Sequence, residues 1–92
     1  MKFGAYFCSF ETKTIFLSEY SPNPRIFILD YDLKLLNTIE NVCELEISQL
    51  HFENNSNNLF IFCGCPEYTL KIFNVEKMEL ILLEENVGTE KI

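Results

Sequence analysis

Short apolar runs follow one another along the chain, some alternating with polar residues and some continuous, and Asn, Pro, Ser and Glu separate them. The runs are rich in Ile, Phe, Leu and Tyr, which favour β-strands. They predict eight strands, at Lys2–Phe10, Thr14–Glu19, Arg25–Tyr31, Lys34–Ile39, Ile47–Phe52, Leu59–Cys63, Thr69–Val75 and Glu79–Leu83. The pattern therefore predicts an all-β chain.

One segment fits a second interpretation. Apolar residues from Leu33 to Val42 recur at the three-to-four spacing of a helix face, so that Leu33–Leu50 is an alternative helix. The β-branched residues of the same segment and the strand rhythm on both sides favour two strands with a turn at Glu40–Glu44.

The sequence also repeats itself. Shifted by 44 positions, Ile15–Glu40 lies over Leu59–Glu84 without a gap. Five pairs are then identical: Phe16 and Phe60, Pro22 and Pro66, Ile28 and Ile72, Leu36 and Leu80, and Glu40 and Glu84. A period of about 40–45 residues that holds four strands is typical of one β-propeller blade. We therefore predict two four-stranded antiparallel blades, 1–44 and 45–85, and a polar tail over 86–92.

The second repeat carries the features of a known type of blade. Ile47–Phe52 is followed by an Asn-rich turn and by Leu59–Cys63, and Phe73-Asn74 then ends the third strand. This succession resembles a WD-repeat blade, with Phe73-Asn74 in the place of Trp-Asp and Leu29-Asp30 at that place in the first repeat. The Gly-His pair that often opens a WD blade is not found, and His51 lies inside a predicted strand.

The segment Gly64–Asn74 carries a more specific resemblance. Pro66-Glu67-Tyr68 is followed by an apolar strand that ends in an aromatic residue and Asn. This is similar to an insertion in large WD-repeat proteins of cilia and flagella, and Leu17–Ile28 resembles their preceding blade. The nearest group tethers an inner dynein arm to the doublet microtubule, in long chains with N-terminal propellers and C-terminal coiled coils. The resemblance implies a non-catalytic scaffold of the cytoskeleton and axoneme, with axonemal subunits, dynein or tubulin as protein partners.

The charge balance narrows the classes of partner. Lys and Arg number 7 against 14 Asp and Glu, a net charge of −7. Nucleic-acid binders neutralise phosphates with clustered Lys and Arg, so this balance argues against nucleic acid and equally against anionic membrane surfaces. No apolar run approaches the roughly 20 residues of a membrane-spanning helix. We expect a soluble chain in the cytoplasm that binds no cofactor.

Few residues suggest chemistry. Without an export signal, Cys8, Cys43, Cys63 and Cys65 are expected to be free, partly buried thiols. Cys63 and Cys65 face one side of a strand and, with another cysteine or His51, offer soft-metal ligands. Their spacing is not that of a typical zinc site, and His51 has no nucleophile at a recognisable motif. We therefore predict no catalytic and no metal-binding residue.

The loop Pro66, Glu67 and Tyr68 is the candidate protein-interaction site, because it places an aromatic ring beside a carboxylate. Its alternative role is only to shape the turn. Two blades do not close a propeller, and open sheet edges invite association with copies, partners or further chain. The competing interpretations are a WD-repeat fragment of another cytosolic scaffold, such as a ubiquitin-ligase receptor or trafficking coat, and a small Cys/His metal-binding protein.

Overall fold

Eight strands form two four-stranded antiparallel sheets in the computed structural model, which describes residues 3–84. The first sheet has the order β1-β2-β3-β4 and the second the order β5-β6-β7-β8. The strands are β1 (Phe3–Ser9), β2 (Thr14–Glu19), β3 (Ile26–Asp30), β4 (Leu35–Ile39), β5 (Ile47–Glu53), β6 (Asn58–Cys63), β7 (Thr69–Asn74) and β8 (Glu79–Glu84). The chain is therefore all-β, as predicted, with two four-stranded sheets that correspond to propeller-like blades.

The alternative helix over Leu33–Leu50 is wrong. β4, a connector over residues 40–46 and the start of β5 occupy this segment. Ile39 lies opposite Ile26 in the ladder and is only 2% exposed, so its burial comes from the sheet. Within residues 3–84 the structure contains no helix long and apolar enough to span a membrane.

The 44-residue repeat is present in the strand geometry. β1 and β2 occupy 3–9 and 14–19. β5 and β6 occupy 47–53 and 58–63, so each of them begins and ends 44 positions after its counterpart. The ladders keep the same register, because Phe16 faces Ile28 just as Phe60 faces Ile72. The strands of the two sheets lie within 3–39 and 47–84; the division at 1–44 and 45–85 stays a prediction, and the predicted tail over 86–92 lies outside the described residues.

The hydrophobic core lies between the two sheets. Side chains alternate across a strand, so each sheet presents two faces. The buried face of the first sheet carries Phe16, Ser18, Ile26 and Ile28, and that of the second carries Leu50, Phe52, Leu59, Ile61 and Phe73. The rings of Phe16 and Phe52 meet across the interface with centroids 4.8 Å apart. The inner strands β1 and β5 lie nearest each other, and the sheets spread apart from there.

Both remaining faces are also apolar. The outer face of the first sheet carries Tyr6, Ile15, Leu17, Phe27 and Leu29. The outer face of the second sheet carries Phe60, Phe62, Leu70 and Ile72. Most of these side chains are only partly buried, and Tyr6 is 69% exposed. The two-sheet unit therefore leaves an apolar surface on each side.

Candidate interaction site at the connector

The loop between β6 and β7 contains the predicted interaction residues. The backbone N–H groups of Glu67 and Tyr68 both donate to the Gly64 carbonyl oxygen, at 2.9 and 3.1 Å, and close a tight turn. Pro66 follows a cis peptide bond and is exposed. Tyr68 has φ of 51° and is 38% exposed. Pro66 and Tyr68 are thus accessible to a partner, as the prediction requires.

Glu67 is held by the connector instead. One carboxylate oxygen accepts a hydrogen bond of 2.8 Å from the Glu44 backbone N–H, and the other lies 3.3 Å from Lys71 Nζ. Lys71 Nζ also donates to the Val42 carbonyl oxygen. The Lys71 side chain is 13% exposed and that of Glu67 is 20% exposed, so water screens this pair only in part. Glu67 therefore supports the fold within its own chain.

A disulfide ties the same connector to the second sheet. Cys43 in the connector is bonded to Cys63 at the end of β6, with an S–S distance of 2.01 Å. The expectation of free thiols is wrong for this pair, because the return of the connector onto β6 brings the two Cα atoms within 5.5 Å. Cys8 and Cys65 are free and exposed.

The sulfur atoms of Cys43 and Cys63 and the carboxylate of Glu67 lie within 4.8 Å of one another. Two features oppose a metal at this place. The two sulfurs are bonded to each other and carry no thiolate charge. The ammonium group of Lys71 already lies beside the Glu67 carboxylate. We refer to the four side chains Cys43, Cys63, Glu67 and Lys71 as the connector clamp.

The connector is also fastened to the first sheet. The Asn23 backbone N–H, in the loop between β2 and β3, donates to the Glu44 carbonyl oxygen at 2.7 Å. On the other side, the Gly64 N–H donates to the Glu46 carbonyl oxygen at 3.0 Å. These bonds join the β2–β3 loop, the connector and the β6–β7 loop into one framework. The repeat places both loops at the same end of the two sheets.

An ion pair closes the β2–β3 loop. Arg25 donates from its backbone N–H and from Nε to one oxygen of Glu19, at 2.8 and 3.0 Å, and its Nη2 lies 2.6 Å from the other oxygen. These hydrogen bonds stabilise the carboxylate and lower the pKa of Glu19 from 4.5 to about 2. The pKa of Arg25 rises for the same reason. The Arg25 guanidinium also lies over the Phe27 ring, 5.1 Å from its centroid.

Two cavities open beside the connector. One, of about 440 Å³, is lined by Tyr20, Ser21, Pro22, Leu45, Glu46 and Cys65. The other, of about 390 Å³, is lined by Glu46, Ser48, Phe62, Cys63, Gly64, Cys65, Tyr68 and Thr69. The hydrogen bond with Cys65, and then the charges of Cys65 and Glu46, raise the pKa of Tyr68. The phenol therefore stays neutral at physiological pH and presents a hydroxyl group to this surface.

His51 lies in β5 as predicted, and its ring packs on aromatic neighbours. Its centroid is 4.9 Å from that of Phe7 in β1 and 6.3 Å from that of Phe60, and both contacts are edge-on. The imidazole therefore takes part in the packing where the inner strands of the two sheets meet. Lys71 and Val42, which complete the support of Glu67, were missed by the sequence analysis, because a single lysine and a carbonyl group leave no pattern.

Comparison with known proteins supports the fold alone. No protein-family model matches the sequence, and no curated protein matches it either. Among solved structures, the chain is similar to a crystal structure of a eukaryotic initiation factor, with a TM-score of 0.66 and 20% sequence identity. The match covers 88% of this chain and 21% of that one, so the chain spans about a fifth of its length. At this identity the likeness establishes that the two share an architecture.

Proposed function

We propose that this chain is a non-catalytic scaffold module, which holds protein-binding surfaces at fixed positions. One observation carries the proposal: Cys63, Glu67 and Lys71 serve internal contacts, while apolar faces, one of which includes the exposed His51, stay open. Glu67 and Lys71 support the connector, Cys63 is bonded to Cys43, and His51 packs against aromatic rings. A rigid β-framework with open faces suits binding without bond-making.

The specific assembly we propose is an axonemal one that tethers dynein in a cilium or flagellum. Its support is the resemblance of Gly64–Asn74 and Leu17–Ile28 to the ciliary WD-repeat proteins. In the structure, Pro66 and Tyr68 of the first segment are exposed; Tyr68 lines the cavity of about 390 Å³, and Cys65, which precedes Pro66, lines both cavities. These two residues and the cavity rim are the contact surface in this proposal.

Co-sedimentation with purified doublet microtubules, with and without inner-arm dynein, tests this assignment. We expect the chain to pellet with doublets and the variant Tyr68→Ala to pellet less. Phe10→Ala is the matched control, because Phe10 is 81% exposed in the β1–β2 turn and lies outside this loop. Absence of pelleting, together with capture of ligase or coat subunits by the same chain, would favour the other cytosolic scaffolds.

The metal-binding alternative has its own test. Purified chain is reduced, incubated with zinc, desalted and assayed for bound metal. The scaffold proposal expects no stoichiometric zinc, because Lys71 lies beside Glu67 where a cation would bind. One zinc per chain that disappears in Cys63→Ser, but persists in Cys8→Ser, would contradict the scaffold proposal.

A further inference from the structure

The repeat relates each open face of the molecule to a face that is already buried. A shift of 44 positions carries Phe16, Ser18, Ile26 and Ile28 of the first buried face onto Phe60, Phe62, Leu70 and Ile72. That second set is the outer face of the second sheet. The side of the first sheet that binds its neighbour therefore has a structural counterpart on the second sheet, and that counterpart is uncovered.

The converse relation holds for the other open face. The buried face of the second sheet carries Leu50, Leu59, Ile61 and Phe73. Moved back by 44 positions, these become Tyr6, Ile15, Leu17 and Leu29, which lie on the outer face of the first sheet. By the repeat, the two open faces are thus equivalent to the two faces that already pack against each other between the sheets.

We propose that the outer face of the second sheet binds the outer face of the first sheet of another copy, head to tail. The occupant is a second copy of this chain, since it presents the matching half with the strand register of the internal interface. The proposal deepens the scaffold function, on which it rests, by naming a partner for its apolar faces. In such an assembly the interface between neighbouring copies is of the same type as the interface between the two sheets of one copy.

The side chains at these faces suit such a contact. Contiguous apolar side chains that no other part of the protein covers mark interaction surfaces. Over Phe60 and Phe62 there is a depression of about 250 Å³, also lined by His51 and Glu53. In the internal interface Phe16 meets Phe52. Their counterparts across the proposed interface are Phe60 of one copy and Cys8 of the next, and Cys8 is free and exposed.

A head-to-tail contact forms a ring if its rotation closes and a filament if it does not. Propellers close with four to eight blades, so two-blade units need roughly two to four copies. Each copy carries a net charge of −7, so association works against electrostatic repulsion. Salt screens this repulsion and leaves apolar contacts intact, and association should therefore increase from low salt to about 0.5 M.

The test measures the mass of the full chain by light scattering after gel filtration, alone and in mixtures. Leu17→Glu disables the first outer face and Phe60→Glu the second, and each variant alone is expected to be monomeric. Mixed, they form a one-to-one dimer, because each retains the half that the other lacks. Phe10→Glu is the control: it replaces an exposed aromatic in a turn and should assemble like the wild type.

A wild type that stays monomeric at about 0.1 mM, both at low salt and at about 0.5 M salt, would overturn the proposal. So would a Leu17→Glu or Phe60→Glu variant that still associates with itself, as expected if like faces meet, or a mixture that stays monomeric. These results leave microtubule co-sedimentation untouched, so failure here is separable from failure of the scaffold function. Circular dichroism establishes that each variant is folded, and Phe27→Glu and Ile72→Glu replace any that is not.

Covalent trapping provides a readout that does not depend on the charged variants. Phe60→Cys in a Cys65→Ser background is treated with a short bismaleimide, whose maleimides add to the thiols at positions 60 and 8 of neighbouring copies. A cross-linked ladder is expected, and it should vanish when Cys8→Ser is added. Without Cys8, each chain has one thiol, at position 60, and a cross-linked dimer of this variant would mean that position 60 meets position 60, which contradicts the head-to-tail arrangement.

Discussion

Buried polar side chains in this chain differ sharply in how well they are satisfied. Ser18 is fully buried, and its hydroxyl accepts a hydrogen bond from the Ala5 N–H at 2.8 Å and donates to the Ala5 carbonyl oxygen at 3.3 Å. It does so where the register between β1 and β2 shifts. Thr69 is 7% exposed, and its hydroxyl has no hydrogen-bond partner in the structure. The Ser18 hydroxyl thus stabilises the irregular part of the β1–β2 ladder, whereas the Thr69 hydroxyl loses its hydration on folding and gains no hydrogen bond in return.

Thr69→Val should therefore raise the free energy of unfolding, by roughly 1 kcal/mol, since it removes an unsatisfied buried hydroxyl and keeps the branched shape. Ser18→Ala should lower it by roughly 1–3 kcal/mol, because it leaves the Ala5 N–H without its acceptor. Urea unfolding of the two variants measures both effects. A destabilising Thr69→Val would mean that its hydroxyl is satisfied in solution.

The Glu19–Arg25 pair predicts a pH dependence. The pKa of Glu19 is about 2 in the folded chain and 4.5 ordinarily, so between these values the unfolded chain binds more protons. The stability that Glu19 contributes is complete above about pH 4.5 and is lost as the pH falls toward 2. Glu19→Gln lacks this contribution, so its Tm should lie below that of the wild type at pH 6, and the gap should narrow by pH 2.

Thermal unfolding from pH 2 to 6 measures that gap. Glu79→Gln is the matched control, because it also removes one carboxylate, here an exposed one in β8. At pH 6 the Tm of Glu79→Gln should lie closer to that of the wild type than the Tm of Glu19→Gln does. A Glu19→Gln gap that stays constant with pH would show that the ion pair does not control this titration.

At the scale of elements, the connector joins the two sheets more firmly than its irregular backbone suggests. Its Glu44 carbonyl oxygen binds the β2–β3 loop, its Glu44 N–H binds Glu67, and its Cys43 is bonded to β6. Lys71→Met removes the ammonium, so that one of the two Glu67 carboxylate oxygens and the Val42 carbonyl oxygen lose their lysine donor. The free energy of unfolding should fall by roughly 1–3 kcal/mol.

Glu67→Gln keeps an oxygen for the Glu44 N–H, so it should cost less than Lys71→Met. Lys77→Met serves as the control, since Lys77 is an exposed lysine in the β7–β8 turn. Urea midpoints rank the three variants. If Lys71→Met and Lys77→Met were equally stable, the Lys71 contacts with Glu67 and Val42 would contribute nothing to stability.

Reduction of the disulfide gives a separate prediction for this element. The bond closes a loop between residues 20 positions apart, which constrains the unfolded chain by about 3 kcal/mol on the chain-entropy model. Unfolding in urea with a reductant should show this loss, and Cys43→Ser should show it without one. Alkylation of Cys8 in a Cys65→Ser background should leave stability unchanged, since Cys8 is exposed and free.

The strands were predictable because their signal is local, whereas the contacts that fasten the connector to the second sheet, Cys43 with Cys63 and Glu44 with Glu67, join residues distant in sequence. β2 was predicted with its observed bounds from alternation and turn residues alone. The sequence alignment of the two repeats begins only after β1 and β5. In the structure the repeat also includes these two strands, although equivalent positions such as Phe7 and His51 carry different residues. The Cys43–Cys63 pairing depends on how the connector returns onto β6, and no spacing rule gives it.

For the molecule as a whole, each buried face of a sheet has an equivalent open face on the other sheet, 44 positions away in the sequence. Phe16 and Phe60 have equivalent neighbours in their sheets, yet Phe16 is 1% exposed and Phe60 is only partly buried. The sequence alone does not distinguish them, since the difference arises from what lies against each sheet. That difference predicts a concentration-dependent mass for the wild type and a monomer for Phe60→Glu.

The equal spacing of the strand pairs has an evolutionary corollary. In the proposed head-to-tail array each unit touches the next through the same two faces, and duplicating the corresponding stretch of gene would then lengthen the array without altering any existing contact. Such a module can gain or lose units by simple recombination, and its descendants would differ in unit number before they differ in architecture.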